Sequence, residues 1–142
     1  MTEVAFHFNM PDKLDYACRL LRKAYARGGP VGVVGSPEQL QALNTRLWSF
    51  SALDFVAHCL ASAPRGMKER TPIVLAEHCD ALAPAGTLLN LGAPVPEGFE
   101  RFERLIELVT LDDADRASAR RRWRHYAERG YPIQRHDLAP KE

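Results

Sequence analysis

Two apolar patterns alternate along the first half of the chain. Apolar residues recur at three- and four-residue steps over Lys13–Arg27 and again from Pro37 to about Trp48, which predicts two helices. A short run rich in β-branched and aromatic residues at Val4–Asn9 predicts a strand, and Val31–Gly35 predicts a strand buried on both faces. Because the connections are short, this β-α-β-α order predicts an open α/β sheet.

The second half of the chain shows the same elements less regularly. Two further strands are predicted, at Thr71–Ala76 and at Leu88–Leu91. Phe102–Val109 is ambiguous between helix and strand, and its β-branched end and the Asp-rich helix start behind it favour a strand from about Arg104. The segment Ser49–Arg70 is predicted to be a loop or short helical turn followed by an exposed loop, because no period persists through it. Phe99–Arg101 is expected to form one helical turn, and Pro132–Leu138 could add a short segment at the edge of the sheet.

The last predicted helix, Asp112 to Arg129, is the most polar. Its acidic residues Asp112, Asp113 and Asp115 lie in the first turn, where negative charge is stabilised by the helix dipole. Gly130 follows the helix, at the position where a residue in the left-handed conformation commonly ends one. At about 100° per residue, one third of the circumference holds a shared set of cationic and aromatic side chains. These are Arg116, Arg120, Trp123 and Arg124, whereas Arg121, Arg122 and Arg129 point elsewhere.

Length and composition narrow the class of protein. A chain of 142 residues is expected to form one domain, residues 1–142. The apolar runs are much shorter than the roughly 20 residues of a membrane helix, and the N-terminus has no secretory-signal pattern. The cysteines Cys18, Cys59 and Cys79 are odd in number and widely spaced, which predicts reduced thiols in a cytoplasmic protein.

The positive charge is concentrated near the C-terminus. The net charge is only +1, yet seven arginines and a single acid, Glu128, lie between Arg116 and His136. A basic segment on an otherwise slightly acidic body predicts an anionic partner that docks at one place.

Motifs for cofactors and catalysis are missing from the sequence. The turn after the second strand, beginning at Gly35, matches neither glycine-rich phosphate loop, and Pro37 lacks an amide donor. Ser36 is interpreted as a helix cap, and the pairs His58–Cys59 and His78–Cys79 do not have the usual spacing of metal ligands. We therefore expect no cofactor, no metal and no catalytic residue. A small nucleotide-dependent enzyme is kept as an alternative function.

Three large aromatic residues lie close together after the second helix. Trp48, Phe50 and Phe55, with the neighbouring Val56, either fill the bottom of the core or form an apolar patch for a protein partner.

The helix from Asp112 to Arg129 has three possible interpretations. Its arginines form a solvated basic face, a site for a peptide that ends in a carboxylate beside an apolar side chain, or a site for single-stranded nucleic acid. Arginine forks a carboxylate and an indole packs against an apolar side chain, which suits the peptide. A nucleic-acid site would stack a base on Trp123, although such platforms usually offer several aromatic side chains.

The order of these segments resembles one known family, the chi subunit of bacterial DNA polymerase III holoenzyme. The resemblance runs from Val4 to about Leu138 and is carried by VAFHFN, GGPVGVVGSPEQLQALNTRLWSF, DFVAHCL, TPIVLA, FERLIELV and ARRRWRHYAERGY. The most specific pieces are the Leu47–Trp48 helix end followed by Phe55-x-x-His58, and the basic helix before Gly130–Tyr131.

The resemblance implies a Rossmann-like fold, a mostly parallel sheet with helices on both faces and no nucleotide-binding loop. It implies a non-catalytic clamp-loader subunit of the cytoplasmic replisome that meets single-stranded DNA only indirectly. Two partners are implied. The psi subunit would contact Trp48, Phe50, Phe55 and Val56, and the acidic, phenylalanine-ending tail of single-stranded-DNA-binding protein would bind Val109, Arg116, Arg120, Trp123 and Arg124.

Three positions depart from the family pattern. Ala57 stands where members commonly have proline before the histidine, which puts the psi contacts in doubt. Trp123 and Arg116 stand where tyrosine and lysine are common, and both changes keep the chemistry of the tail site.

Overall fold

The computed structural model describes residues 1–27, 30–49, 58–60, 73–79, 82, 86–92 and 94–139. The strands are β1 (Glu3–Met10), β2 (Val31–Val34), β3 (His58–Leu60), β4 (Ile73–Ala76), β5 (Thr87–Asn90), β6 (Arg104–Thr110) and β7 (Ile133–Asp137). The α-helices among the described residues are α1 (Lys13–Arg27), α2 (Pro37–Ser49) and α3 (Asp113–Glu128), and Phe99–Arg101 forms one 3-10 turn.

The strands form one open sheet in the order β3-β4-β2-β5-β6-β1-β7. All six neighbouring pairs are parallel. Strand β2 is buried at each of its four residues. Because a strand that is covered on both faces has only buried positions, its sequence is a continuous apolar run. The predicted open α/β fold is confirmed.

Helices cover both faces of the sheet, so the molecule has two apolar layers. On one face, α1 and α2 bury Cys18, Leu21 and Leu43 against strand residues such as Leu75. On the other face, the 3-10 turn and α3 pack onto the sheet around a second group of buried residues. This group includes Val4, Phe6, Phe99, Leu105, Ala119 and Tyr126.

Capping residues set both ends of α3, and the sequence predicts the one at its end. The side chain of Asp112 accepts a hydrogen bond from the backbone N–H of Asp115 at 3.0 Å. After the helix, Gly130 has φ of +78°, the left-handed conformation that glycine adopts without a steric penalty. These two residues limit the basic helix to one defined segment beside the sheet.

Two expectations about strands have different outcomes. The expected loop or turn over Ser49–Arg70 is wrong at His58–Leu60, where β3 pairs with β4 at the edge of the sheet. A three-residue strand is too short to show a period in the sequence, and only its pairing defines it. The expected C-terminal edge segment is confirmed, since Ile133–Asp137 pairs with β1.

No helix in the described part of the chain has the length and apolar character needed to cross a membrane.

Candidate functional site

A groove lies between α3 and the carboxyl-terminal halves of β1, β6 and β7. It has a volume of about 240 Å³. We call it the arginine groove, and its lining residues are Phe6, Phe8, Asn9, Val109, Thr110, Arg116, Ala119, Arg120, Trp123 and Arg135.

The floor of the arginine groove is apolar. Phe6, Val109 and Ala119 are at most 6% exposed and belong to the layer beneath α3. Trp123 is partly buried beside them, with its ring centroid 5.0 Å from that of Phe6. An apolar ligand group placed here would lose its contact with water, which is the main source of affinity in such a site.

The rim of the groove is cationic. Arg116 and Arg120 project from successive turns of α3, and Arg135 comes from β7. All three are exposed, and none has a carboxylate of the described residues within 4 Å. By contrast, Arg46 is paired with Asp12. Arginines without an acidic partner beside an apolar floor are suited to a ligand with both a carboxylate and an apolar group.

The structure brings together four of the five residues predicted for the basic site. Val109, Arg116, Arg120 and Trp123 line the groove, whereas Arg124 is exposed on α3 and does not line it. The other lining residues were not predicted for the site, and they are Phe6, Phe8, Asn9, Thr110, Ala119 and Arg135. The only signal for Arg135 was its place in the basic segment, because the pairing of β7 with β1 is not visible in the sequence.

A buried polar network fixes α3 to the sheet beside the groove. Glu107 of β6 is fully buried, and its Oε1 accepts a hydrogen bond from Arg122 Nε at 3.0 Å. Its carboxylate also accepts from Tyr126 Oη at 2.5 Å and from Asn90 Nδ2 at 2.9 Å. Arg122 in turn donates from Nη1 to Ser118 Oγ at 2.7 Å.

Charge and burial oppose each other at the centre of this network. Burial raises the pKa of Glu107, and the nearby charge of Arg122 acts in the opposite direction. The sequence predicts that Arg121 and Arg122 point away from the site, which makes both of them natural control substitutions. Arg122 does point away, but it is 2% exposed and ion-paired, so Arg121, which is exposed, is the suitable control.

A second polar contact fixes the start of α3. The carboxylate of Asp115 accepts hydrogen bonds from Thr110 N–H at 2.8 Å and Oγ1 at 3.0 Å. It also forms a 3.0 Å ion pair with Lys13 of α1. Burial would raise the pKa of Asp115, but these hydrogen bonds and the charge of Lys13 outweigh it, so the pKa is lowered. The contact holds the first turn of α3, and therefore Arg116, at the mouth of the groove.

The aromatic patch predicted for a protein partner is described only in part. Trp48, in the last turn of α2, is 59% exposed, which is unusual for so large an apolar side chain. Phe50, Phe55 and Val56 lie outside the described residues.

A larger crevice, about 940 Å³, lies at the carboxyl ends of β2 and β5. In nucleotide-binding α/β proteins, phosphate binds at such a place, against a helix N-terminus. Here Gln39 N–H donates to Ser36 Oγ at 3.2 Å and Ser36 N–H donates to Gln39 Oε1 at 2.9 Å. The backbone N–H groups of Ser36 and Gln39 thus already have hydrogen-bond partners, and Pro37 has no N–H to donate to a phosphate. The arginine groove is therefore the stronger candidate site.

On the opposite face of the sheet, three ring-bearing side chains form a cluster that sequence reasoning missed. His7 Nδ1 lies 2.5 Å from Tyr16 Oη, and the rings of His7 and His136 are 4.5 Å apart. Burial, and then the charge of His136, lowers the pKa of His7 to about 4. His7 is therefore neutral near pH 7.

Within the described ranges, no three side chains of His, Cys, Asp or Glu lie close enough together to hold a metal ion. Of the two candidate metal pairs, His78 is exposed and Cys79 is buried. The side chains of His58 and Cys59 lie outside the described residues.

In the part of the chain that the structure describes, fold and groove together define an α/β domain with a parallel sheet, no nucleotide-binding loop and a cationic, apolar-floored groove. The chain belongs to the DNA polymerase III chi subunit family. The family model for DNA polymerase III chi subunit, HolC, matches residues 1–134. DNA polymerase III subunit chi of Pseudomonas aeruginosa is 35% identical over 127 residues, which cover 89% of this chain and 87% of that protein. The family resemblance in the sequence is thus confirmed.

Proposed function

We propose that this chain is a non-catalytic accessory subunit of the DNA polymerase III clamp-loader assembly. It binds the psi subunit through the surface around Trp48. It binds the acidic C-terminal tail of single-stranded-DNA-binding protein in the arginine groove, and so couples the polymerase to single-stranded DNA through a protein. The observation that carries the proposal is the convergence on an apolar floor of Trp123 with three arginines that have no described carboxylate within 4 Å.

The size of the groove favours the end of a peptide. Sites for drug-sized ligands are about 300–1,000 Å³, and the arginine groove is about 240 Å³. One aromatic side chain would lie on the floor formed by Phe6, Val109 and Ala119, and its terminal carboxylate would reach the arginines at the rim. A nucleic-acid strand would instead need a continuous path with several stacking surfaces.

Titration with a peptide tests this proposal. A short, labelled acidic peptide that ends in Phe should bind the purified protein, and the affinity should fall as salt is raised, because the rim charges are exposed. Replacing the terminal Phe by Ala, or amidating the terminal carboxylate, should abolish most of the binding. The same anisotropy measurement with a labelled single-stranded oligonucleotide alone is the comparison. Tight binding of the oligonucleotide and none of the peptide would favour a direct nucleic-acid-binding module instead.

The psi interface is tested separately with Trp48→Ala. Because this side chain is 59% exposed, we expect the variant to stay folded while it loses most of its affinity for the psi subunit. Copurification with psi, alongside a thermal melt of the variant alone, measures both properties. A variant that simply unfolds would show that Trp48 fills the core, and a variant that still copurifies with psi would place the interface elsewhere.

A further inference from the structure

We propose that Arg135, on the edge strand β7, is a ligand-binding residue of the arginine groove that contacts an acidic side chain just before the terminal carboxylate of the bound peptide. The inference rests on the proposed function, since it concerns the same groove and the same class of ligand.

Strand register places Arg135 in the groove. In the parallel pairing of β1 with β7, Phe6 is opposite Arg135. Side chains alternate along a strand, so Ile133 and Arg135 emerge on the same face of the sheet. Ile133 packs against the apolar layer beneath α3, and Arg135 follows it into the lining of the groove.

Two aromatic rings hold the guanidinium of Arg135. Its Cζ atom lies 5.5 Å from the ring centroid of Phe8 and 6.0 Å from that of Trp123. A planar guanidinium that rests on aromatic rings uses its faces for those contacts and keeps its N–H groups for an anion. The stacking therefore positions the cation above the apolar floor.

The acidic residue nearest to Arg135 in the sequence has hydrogen-bond partners other than Arg135. Asp137 faces the same side of β7, and its Oδ1 accepts hydrogen bonds from Asn9 Nδ2 at 2.7 Å and from Ala139 N–H at 2.9 Å. Those hydrogen bonds, the one from Ala139 foremost, lower the pKa of Asp137, and Arg135 acts on it only by its charge, without an ion pair within 4 Å. Arg135 thus keeps its hydrogen-bonding capacity for a ligand.

The cations of the groove come from two different elements, which matches a ligand with two anionic groups. Arg116 and Arg120 lie on α3, and Arg135 lies on β7. One arginine is sufficient to fork a terminal carboxylate. The cation on β7 therefore provides a separate place for a second carboxylate, which belongs to a side chain upstream in the peptide.

A double-mutant cycle tests the assignment. Two peptides end in the same aromatic residue, one with Asp and the other with Asn at the preceding acidic positions. The wild type should prefer the Asp peptide by about tenfold, the range expected for a hydrogen bond to a charged group. Arg135→Gln should lose most of that preference and bind the Asn peptide almost as the wild type does. Arg121→Gln is the matched control, because it removes the same charge from an exposed position outside the groove, at a residue that is not predicted for the tail site.

Each outcome separates this inference from the function on which it rests. If Arg135→Gln and Arg121→Gln weaken the Asp peptide equally, the effect is long-range charge and Arg135 does not contact the ligand. If Arg120→Ala loses binding while Arg135→Gln keeps the wild-type preference, this inference fails and the proposed function stands. If the wild type binds neither peptide, both fail. Arg135→Lys, which keeps the charge without the planar stacking, should be intermediate, and thermal melts confirm that each variant is folded.

Discussion

Replacement of Arg122 by alanine is expected to lower the free energy of unfolding by about 3–5 kcal/mol. Removing one partner of a buried ion pair leaves the other as an uncompensated buried charge, and this is among the most destabilising single changes. Here the remaining charge would be Glu107, which is fully buried. For a domain of this size the melting temperature should fall by roughly 10–15 °C. Urea unfolding followed by far-UV circular dichroism at pH 7 measures the change.

The loss should depend on pH in a defined direction. Burial already raises the pKa of Glu107, and without Arg122 it should rise further. In the unfolded chain a glutamate loses its proton near pH 4.3, whereas in the folded protein a carboxyl with a raised pKa keeps its proton to a higher pH. Above pH 4.3 the folded state therefore loses stability relative to the unfolded state as the pH increases. The deficit of the variant relative to the wild type should therefore be smaller at pH 5 than at pH 8.

Two comparisons distinguish this network from general effects of charge. Arg121→Ala removes the neighbouring but exposed arginine and should change the stability by less than about 0.5 kcal/mol. The double variant Glu107→Gln with Arg122→Leu leaves no buried charge and should recover much of the loss. Equal urea midpoints for Arg122→Ala and Arg121→Ala would contradict the structural role assigned to the network.

Local sequence signals predicted α3 more completely than any other element. Its acidic first turn and the glycine after it each act within a few residues of a helix end, so a one-dimensional pattern contains them. The same holds for α2, where Ser36 and Gln39 cap each other. Register on the helix then placed Arg116, Arg120, Trp123 and Arg124 on one side, and all of them except Arg124 line one groove.

What the sequence could not predict depends on pairing between distant segments. To predict the ion pair between Glu107 and Arg122, one must know on which face of β6 the acid lies. A strand that is buried on both faces shows no alternation of apolar and polar residues, so its sequence does not identify that face. The position of Arg135 requires the register between β7 and β1, whose partners are more than a hundred residues apart. An acid inside the apolar run of FERLIELV was the one local signal that a buried partner was needed.

Replacement of Arg120 by alanine is expected to weaken binding of an acidic, Phe-ending peptide by about 2–5 kcal/mol, which is roughly 30-fold or more in the dissociation constant. Arg120 lines the groove beside Trp123, and no described carboxylate lies within 4 Å of it, so a ligand carboxylate would be its main partner. Once the peptide covers the guanidinium, truncation would leave that carboxylate desolvated and unpaired. Isothermal titration at low salt, with the wild type in parallel, gives the ratio.

The control for this binding experiment is again Arg121→Ala, which removes the same charge one residue further along α3 and outside the groove. A purely electrostatic basic face would respond alike to both substitutions, and a groove with a defined carboxylate site would respond mainly to Arg120. Arg120→Lys adds a finer distinction, because it keeps the charge but cannot form the bidentate contact, and it should fall between the wild type and alanine. If Arg120→Ala binds the peptide as tightly as the wild type, the arginine groove is not the tail site.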